Sequence, residues 1–268
     1  MLLPLQGRSI AYDLIGPDAA PVIFMAHSLS SDSGMWAEQV PPLLAAGFRV
    51  LRVDNRGHGG SDPVPGDYTM SALASDFATV LDALELKKVH YIGLSIGGMI
   101  GQAFAIEHGN RLHSAMWCDT RPSAPADGAA AWNERMAIVR SANSLLPLAD
   151  GTMDRWFTPA FKPRNPGRWK QIRDTIVGTT PAGYLGCTAA IQNFDFVAQL
   201  PALRLKLLVV CGAADAGTPP AANRQIASLV PGGRYEEIPD SQHFPNVEQP
   251  EKFNRIMMDW LNAQRSRG

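Results

Sequence analysis

Three observations predict an α/β fold: a mostly parallel, doubly wound sheet with a helical cap inserted into it. Short runs that are apolar on both faces alternate with helical periodicities, the alternation breaks once, and a Gly-x-Ser-x-Gly pentapeptide stands where a run meets a helix. The runs fall at residues 21–26, 48–53, 89–94, 114–118 and 207–211, and such runs suit central strands of a parallel sheet. Between them, residues 73–84 carry Leu73, Phe77, Val80, Leu81 and Leu84 at spacings of three and four, the stripe of an amphipathic helix. Residues 97–108 read as a second helix, rich in small side chains. Phe253, Ile256, Met257 and Trp260 mark a C-terminal helix. From Arg121 to Leu200 the pattern gives way to irregular helical pieces with Pro, Gly, Trp and Arg, and alternation resumes at Leu205. The domain expectation is therefore a core of residues 1–120 and 201–268, with a lid of residues 121–200 between its halves.

A chain of 268 residues is long enough to bury a sizeable core without staples. Twenty-four Lys and Arg against 25 Asp and Glu leave a formal charge of -1, so no electrostatic footprint for nucleic acid or an anionic membrane is present. Cys118, Cys187 and Cys211 are odd in number and far apart, which argues against a disulfide framework and a zinc site and for free thiols in a reducing compartment. The N-terminus lacks a signal-peptide pattern and no run approaches the roughly 18 apolar residues that span a bilayer, so the expectation is a soluble cytoplasmic protein. The oligomeric state is left open.

The chemistry centres on Gly93-Leu94-Ser95-Ile96-Gly97. Between a strand and a helix this pattern makes a nucleophile elbow: a tight turn, flanked by small residues, that lifts the serine Oγ clear of the sheet. A serine hydroxyl needs a general base, and the chain order for such an elbow is Ser, then acid, then His. Of six histidines, His27, His58 and His90 precede the serine and His108 and His113 follow it closely. His243 alone lies near the C-terminus, in a polar loop before the last helix, and is the expected base. Two acids end strands. Asp215 has a Gly-rich turn and a following Thr218-Pro219-Pro220 helix start, and is preferred as the acid that orients the imidazole; Asp119 is the alternative, otherwise read as a capping or cap-bonding residue. The oxyanion hole is assigned to the amides of Ile96 and Leu29. The loop Asp54-Asn55-Arg56-Gly57-His58-Gly59 is read as structural, its carboxylate and guanidinium tying down turns around the site.

These residues together resemble the α/β-hydrolase superfamily over essentially the whole chain, through His27-Ser28-Leu29, the Asp54 loop, the Ser95 elbow with Gly98, Asp215 and His243. Within it the chain is most similar to the 3-oxoadipate enol-lactonases. The likeness extends to Met35-Trp36, to the cap segments Arg155-Trp156-Phe157-Thr158-Pro159-Ala160-Phe161 and Gly183-Tyr184-Leu185-Gly186-Cys187-Thr188-Ala189-Ala190-Ile191, and to Asn246-Val247-Glu248-Gln249-Pro250-Glu251 with Phe253-Asn254. It departs from that family at His27, at Asp119-Thr120-Arg121-Pro122 and around His243.

The resemblance implies hydrolysis of a small anionic lactone or ester through an acyl-enzyme, requiring neither metal nor organic cofactor. Its rivals are a broader carboxylesterase, a carbon–carbon hydrolase on the same triad, and a silent receptor on a hydrolase body. A carboxylate-bearing substrate needs a cation on entry, and the cap offers Arg135 beside Trp132 and Arg155 beside Trp156, of which at least one is expected to bind it.

Overall fold

The computed structural model describes residues 1–5, 7–125 and 128–265. Eight strands form one sheet: β1 (Leu2–Leu5), β2 (Arg8–Ile15), β3 (Val22–Ala26), β4 (Arg49–Val53), β5 (Val89–Leu94), β6 (Leu112–Cys118), β7 (Leu207–Gly212) and β8 (Arg234–Ile238), in the order β1-β2-β4-β3-β5-β6-β7-β8. The first two make an antiparallel hairpin that joins β4 antiparallel, and every other pairing is parallel. Every residue of β3, β5 and β7 is buried, as central strands covered on both faces must be. The sequence reading gives no range for β1, β2 or β8. Their residues are mostly exposed or half-buried, so no continuous apolar run announces them.

The helices in chain order are α1 (Val40–Ala45), α2 (Met70–Ala83), α3 (Ile96–His108), α4 (Ala129–Ala142), α5 (Ala149–Trp156), α6 (Phe161–Arg164), α7 (Pro166–Gly178), α8 (Pro181–Gln192), α9 (Pro220–Leu229), α10 (Pro245–Glu248) and α11 (Pro250–Arg265). Helix α2 starts where the Thr69 side chain accepts from the Ala72 amide at 3.0 Å, and it buries Leu73, Phe77, Val80 and Leu81. Phe77 packs on Phe24 of β3 with ring centroids 4.8 Å apart, and Phe24 in turn stacks on Tyr91 of β5 at 5.4 Å. Truncating such an aromatic to alanine costs about 3–5 kcal/mol. Helix α3 is buried nearly all round, because its small residues let it lie directly on β5 and β6. The five helices α4–α8 fill the interval between β6 and β7. All three cysteines are buried free thiols. Among the described residues no helix is long and apolar enough to cross a membrane.

Parallel pairing aligns the carboxyl ends of the central strands. Ala26 pairs with Gly93, Leu94 with Cys118, Cys118 with Val210, and Gly212 with Ile238. Each loop that leaves those ends therefore opens on one edge of the sheet, the usual position of a site in such folds.

Candidate active site

Ser95 sits at that edge with φ 59° and ψ -118°, a backbone conformation that a non-glycine residue holds only when its surroundings impose it, at a cost of order 1–3 kcal/mol. The constraints are visible. The Ser95 amide donates to the Cys118 carbonyl at 2.9 Å, and its carbonyl accepts from Thr120 Oγ1 at 2.9 Å and from the Gly98 and Met99 amides. The flanking glycines are required by close approach. A Cβ at Gly93 would strike the Gly97 carbonyl, and one at Gly97 would strike the Ala26 carbonyl. The Tyr91 hydroxyl pins the Gly97 carbonyl at 2.5 Å.

Asp215 and His243 come together across the ends of β7 and β8. His243 Nδ1 lies 2.8 Å from Asp215 Oδ2, with the two residues only 7% and 2% exposed. The Asp215 carboxylate accepts further bonds from the Gly217 amide at 2.8 Å, the Thr218 amide at 3.1 Å and Thr218 Oγ1 at 2.6 Å. Burial alone would raise its pKa, but His243 and these donors together bring it below the ordinary aspartate value. In the neutral imidazole with Nδ1–H donated to Asp215, the other nitrogen carries a lone pair, and His243 and Ser95 line the same cavity. A hydroxyl and a base lining one cavity are the pair that nucleophilic catalysis on a carbonyl requires, although among the described residues no hydrogen bond joins Ser95 Oγ to the imidazole.

The sequence reading gives Thr218 no role beyond a helix start, although it lies within 3.2 Å of His243 Nδ1 as well as bonding Asp215. The Asp-x-x-Thr spacing before a Pro-started helix is its only linear signal. Glu248 escapes too. Its buried carboxylate accepts from the Gln242 amide at 3.0 Å and from the amide and hydroxyl of Thr158, so one side chain joins the His243 loop to the cap. Phe244 reinforces that joint, stacking on Trp156 at 4.2 Å.

The two amides assigned to the oxyanion hole follow adjacent strands. Ile96 opens α3, so its N–H has no carbonyl one turn back. The Leu29 amide makes no hydrogen bond among the described residues. His27 organises this loop: Nδ1 donates to the Ser28 carbonyl at 2.7 Å, and Nε2 accepts from the Asn55 amide at 2.8 Å. The Asp54 carboxylate takes the Ser33 and Gly60 amides at 2.8 and 3.0 Å, and Arg56 pairs with Asp76. Both side chains hold turns.

A cavity of about 420 Å³ lies between this edge and the cap. Ser95, His243 and Leu29 face it from the core, and Trp132, Arg135, Arg155 and Trp156 face it from the cap, with Tyr184 and Thr152. Arg135 lies over the Trp132 ring, 5.0 Å from its centroid, and Arg155 donates to Thr152 Oγ1 at 2.9 Å. Among the described residues neither guanidinium forms an ion pair. Partial desolvation, and then the charge of Arg135, hold the Arg155 pKa below its ordinary value, while much of the side chain stays exposed. The result is a positively charged wall opposite the serine.

This fold and edge-of-sheet arrangement define an α/β hydrolase, and the chain belongs to that family: a profile described as alpha/beta hydrolase fold matches residues 21–250. The chain is 31% identical over 264 residues to 3-oxoadipate enol-lactonase 1 of Acinetobacter baylyi, covering 98% of this chain and 97% of that protein. Among solved structures, the enol-lactonase from Burkholderia xenovorans LB400 superposes with a TM-score of 0.93 at 33% identity, covering 98% of this chain and all of that one (100%). A thermophilic esterase from Thermogutta terrifontis, in a malate-bound structure, superposes with a TM-score of 0.89 at 30% identity, covering 96% and 94%.

Proposed function

We propose that this hydrolase opens a small anionic enol-lactone, with 3-oxoadipate enol-lactone as the reference substrate and 3-oxoadipate as the product. The observation that carries the reading is the pair of cap arginines without carboxylate partners facing Ser95 across a cavity of small-molecule size. Two neighbouring cations lining one cavity attract an anion into it. The names of the relatives support the same class.

In this reading Ser95 Oγ attacks the lactone carbonyl while His243 takes the hydroxyl proton. The amides of Ile96 and Leu29 hold the oxyanion, and Asp215 keeps the imidazole in the required tautomer and stabilises its protonated form. Collapse of the tetrahedral adduct breaks the ring C–O bond. The leaving enolate, a better leaving group than a simple alkoxide, takes the proton from His243. Water, deprotonated by His243, then attacks the Ser95 ester, His243 returns the proton to Ser95 Oγ as the carboxylate is released, and the freed enol tautomerises to a ketone. The cap arginines bind the carboxylate that the substrate already carries, and Trp132 and Trp156 pack on its apolar atoms.

Steady-state kinetics on 3-oxoadipate enol-lactone against short p-nitrophenyl esters tests the reading. A higher kcat/KM for the lactone is expected. A preference for the plain esters overturns it in favour of a carboxylesterase, the second reading, which the 30% identity to a solved esterase supports.

A further inference from the structure

Asp119 is the buried acid that this mechanism does not use. It follows β6 as Asp215 follows β7, one strand over, and has no exposed surface. A carboxyl oxygen of Asp119, one of Asp215 and a ring nitrogen of His243 all lie within 4.8 Å of one another. The Asp119 backbone is held in the left-handed region at φ 44°, with its amide donating to the Val210 carbonyl at 2.9 Å. Its Oδ1 accepts the Gly212 amide at 2.8 Å, while no donor reaches the buried Oδ2. Among the described residues no Lys or Arg pairs with either carboxyl, and His243 is the one cationic partner available to Asp215. The other titratable neighbours are the thiols of Cys118 and Cys211, which burial keeps neutral. Two carboxylates this close, in a site this dry, cannot both be ionised.

From this juxtaposition we propose that Asp119 is a protonated carboxylic acid whose Oδ2–H donates to the Asp215 carboxylate, making it a positioning residue for the catalytic acid. The inference rests on the triad reading above. Burial, followed by the charge of Asp215, pushes the Asp119 pKa well above the ordinary aspartate value, in keeping with this assignment. The pair then carries one negative charge. The donated bond disperses charge on Asp215, so Asp215 stabilises an imidazolium less than an unassisted carboxylate would, and the base stays available to lower pH.

The direction of a pH shift separates the two protonation states of Asp119. If it is neutral, Asp119→Ala removes a donor, concentrates charge on Asp215, and moves the acidic limb of the kcat/KM profile upward by about half a pH unit or more. Asp119→Asn, which retains an N–H donor, restores the limb to its wild-type position. If Asp119 is ionised, both variants delete a negative charge near the imidazole and the limb moves down. A second measurement does not depend on turnover: infrared difference spectra of wild type against Asp119→Asn at neutral pH should contain the C=O stretch of one protonated carboxyl. Absence of that band, an unmoved limb in Asp119→Ala, or a downward limb in either variant overturns the proposal. Failure of the triad reading itself registers separately, as retained turnover in Ser95→Ala.

Discussion

Replacing the cap arginines by methionine, singly and together, probes the substrate's charge. Methionine keeps the length and apolar bulk of the stem while removing the fork of donors. A charge-assisted hydrogen bond to a carboxylate contributes about 1.5–3 kcal/mol, which is about 10- to 150-fold in kcat/KM for a substrate that makes it. Arg155 donates to Thr152 Oγ1 but stays exposed, so solvent screening places it toward the lower end, although a carboxylate there would offset the repulsion from Arg135. Arg135 lies against Trp132 and is expected toward the lower end, with a stability cost of roughly 0.5–1 kcal/mol from the lost cation–π contact. Because both would address one carboxylate, the double variant should lose less than the product of the single losses. The assay is kcat/KM on the enol-lactone and on p-nitrophenyl acetate in parallel, with Tm as a folding control. The ratio of charged to neutral activity should fall while the neutral activity holds. If that ratio is unchanged in both single variants and in the double, the cap does not read a carboxylate and the substrate is uncharged.

Ser95→Ala should abolish turnover with little change in Tm, and a fluorophosphonate should label wild-type Ser95 but not the variant; label persisting on another serine means a different nucleophile. Asp215→Asn should lower kcat on the order of 10⁴-fold by stabilising the wrong imidazole tautomer, and a mild effect there would move the role of orienting acid elsewhere. His58 supplies a stability prediction. Burial first, and then the neighbouring His27, lower its pKa from 6.5 to about 3, so in the fold it stays neutral while the unfolded chain takes up a proton below 6.5. Its contribution is complete above pH 6.5 and is lost as pH falls toward 3, at up to about 1.4 kcal/mol per pH unit. Tm should therefore fall less steeply across this window in His58→Gln, and equal slopes would refute the assignment.

The linear order of residues determines those features whose physics is local. A doubly apolar run followed by Gly-x-Ser-x-Gly and a helix rich in small residues has few ways to pack, and the structure holds Ser95 in the tight turn that the glycines permit. The core strands and helices α2, α3 and α11 are legible for the same reason, since their periodicity records which faces are buried. The Gly-rich turn and Pro-started helix after Cys211 mark Asp215 as the better-built of two acids, but nothing in that stretch shows that Thr218 turns back to bond it. Linear order cannot show that Asp119 and Asp215, 96 positions apart (215 − 119) in the chain, end adjacent strands and face each other. Nor can it show that Glu248 joins the cap to the His243 loop, or that Arg135 and Arg155 present their charge to the cavity of Ser95. Those juxtapositions depend on strand register and on how the cap packs across the sheet edge. Both are summed over long-range contacts, and no single segment of the chain records them.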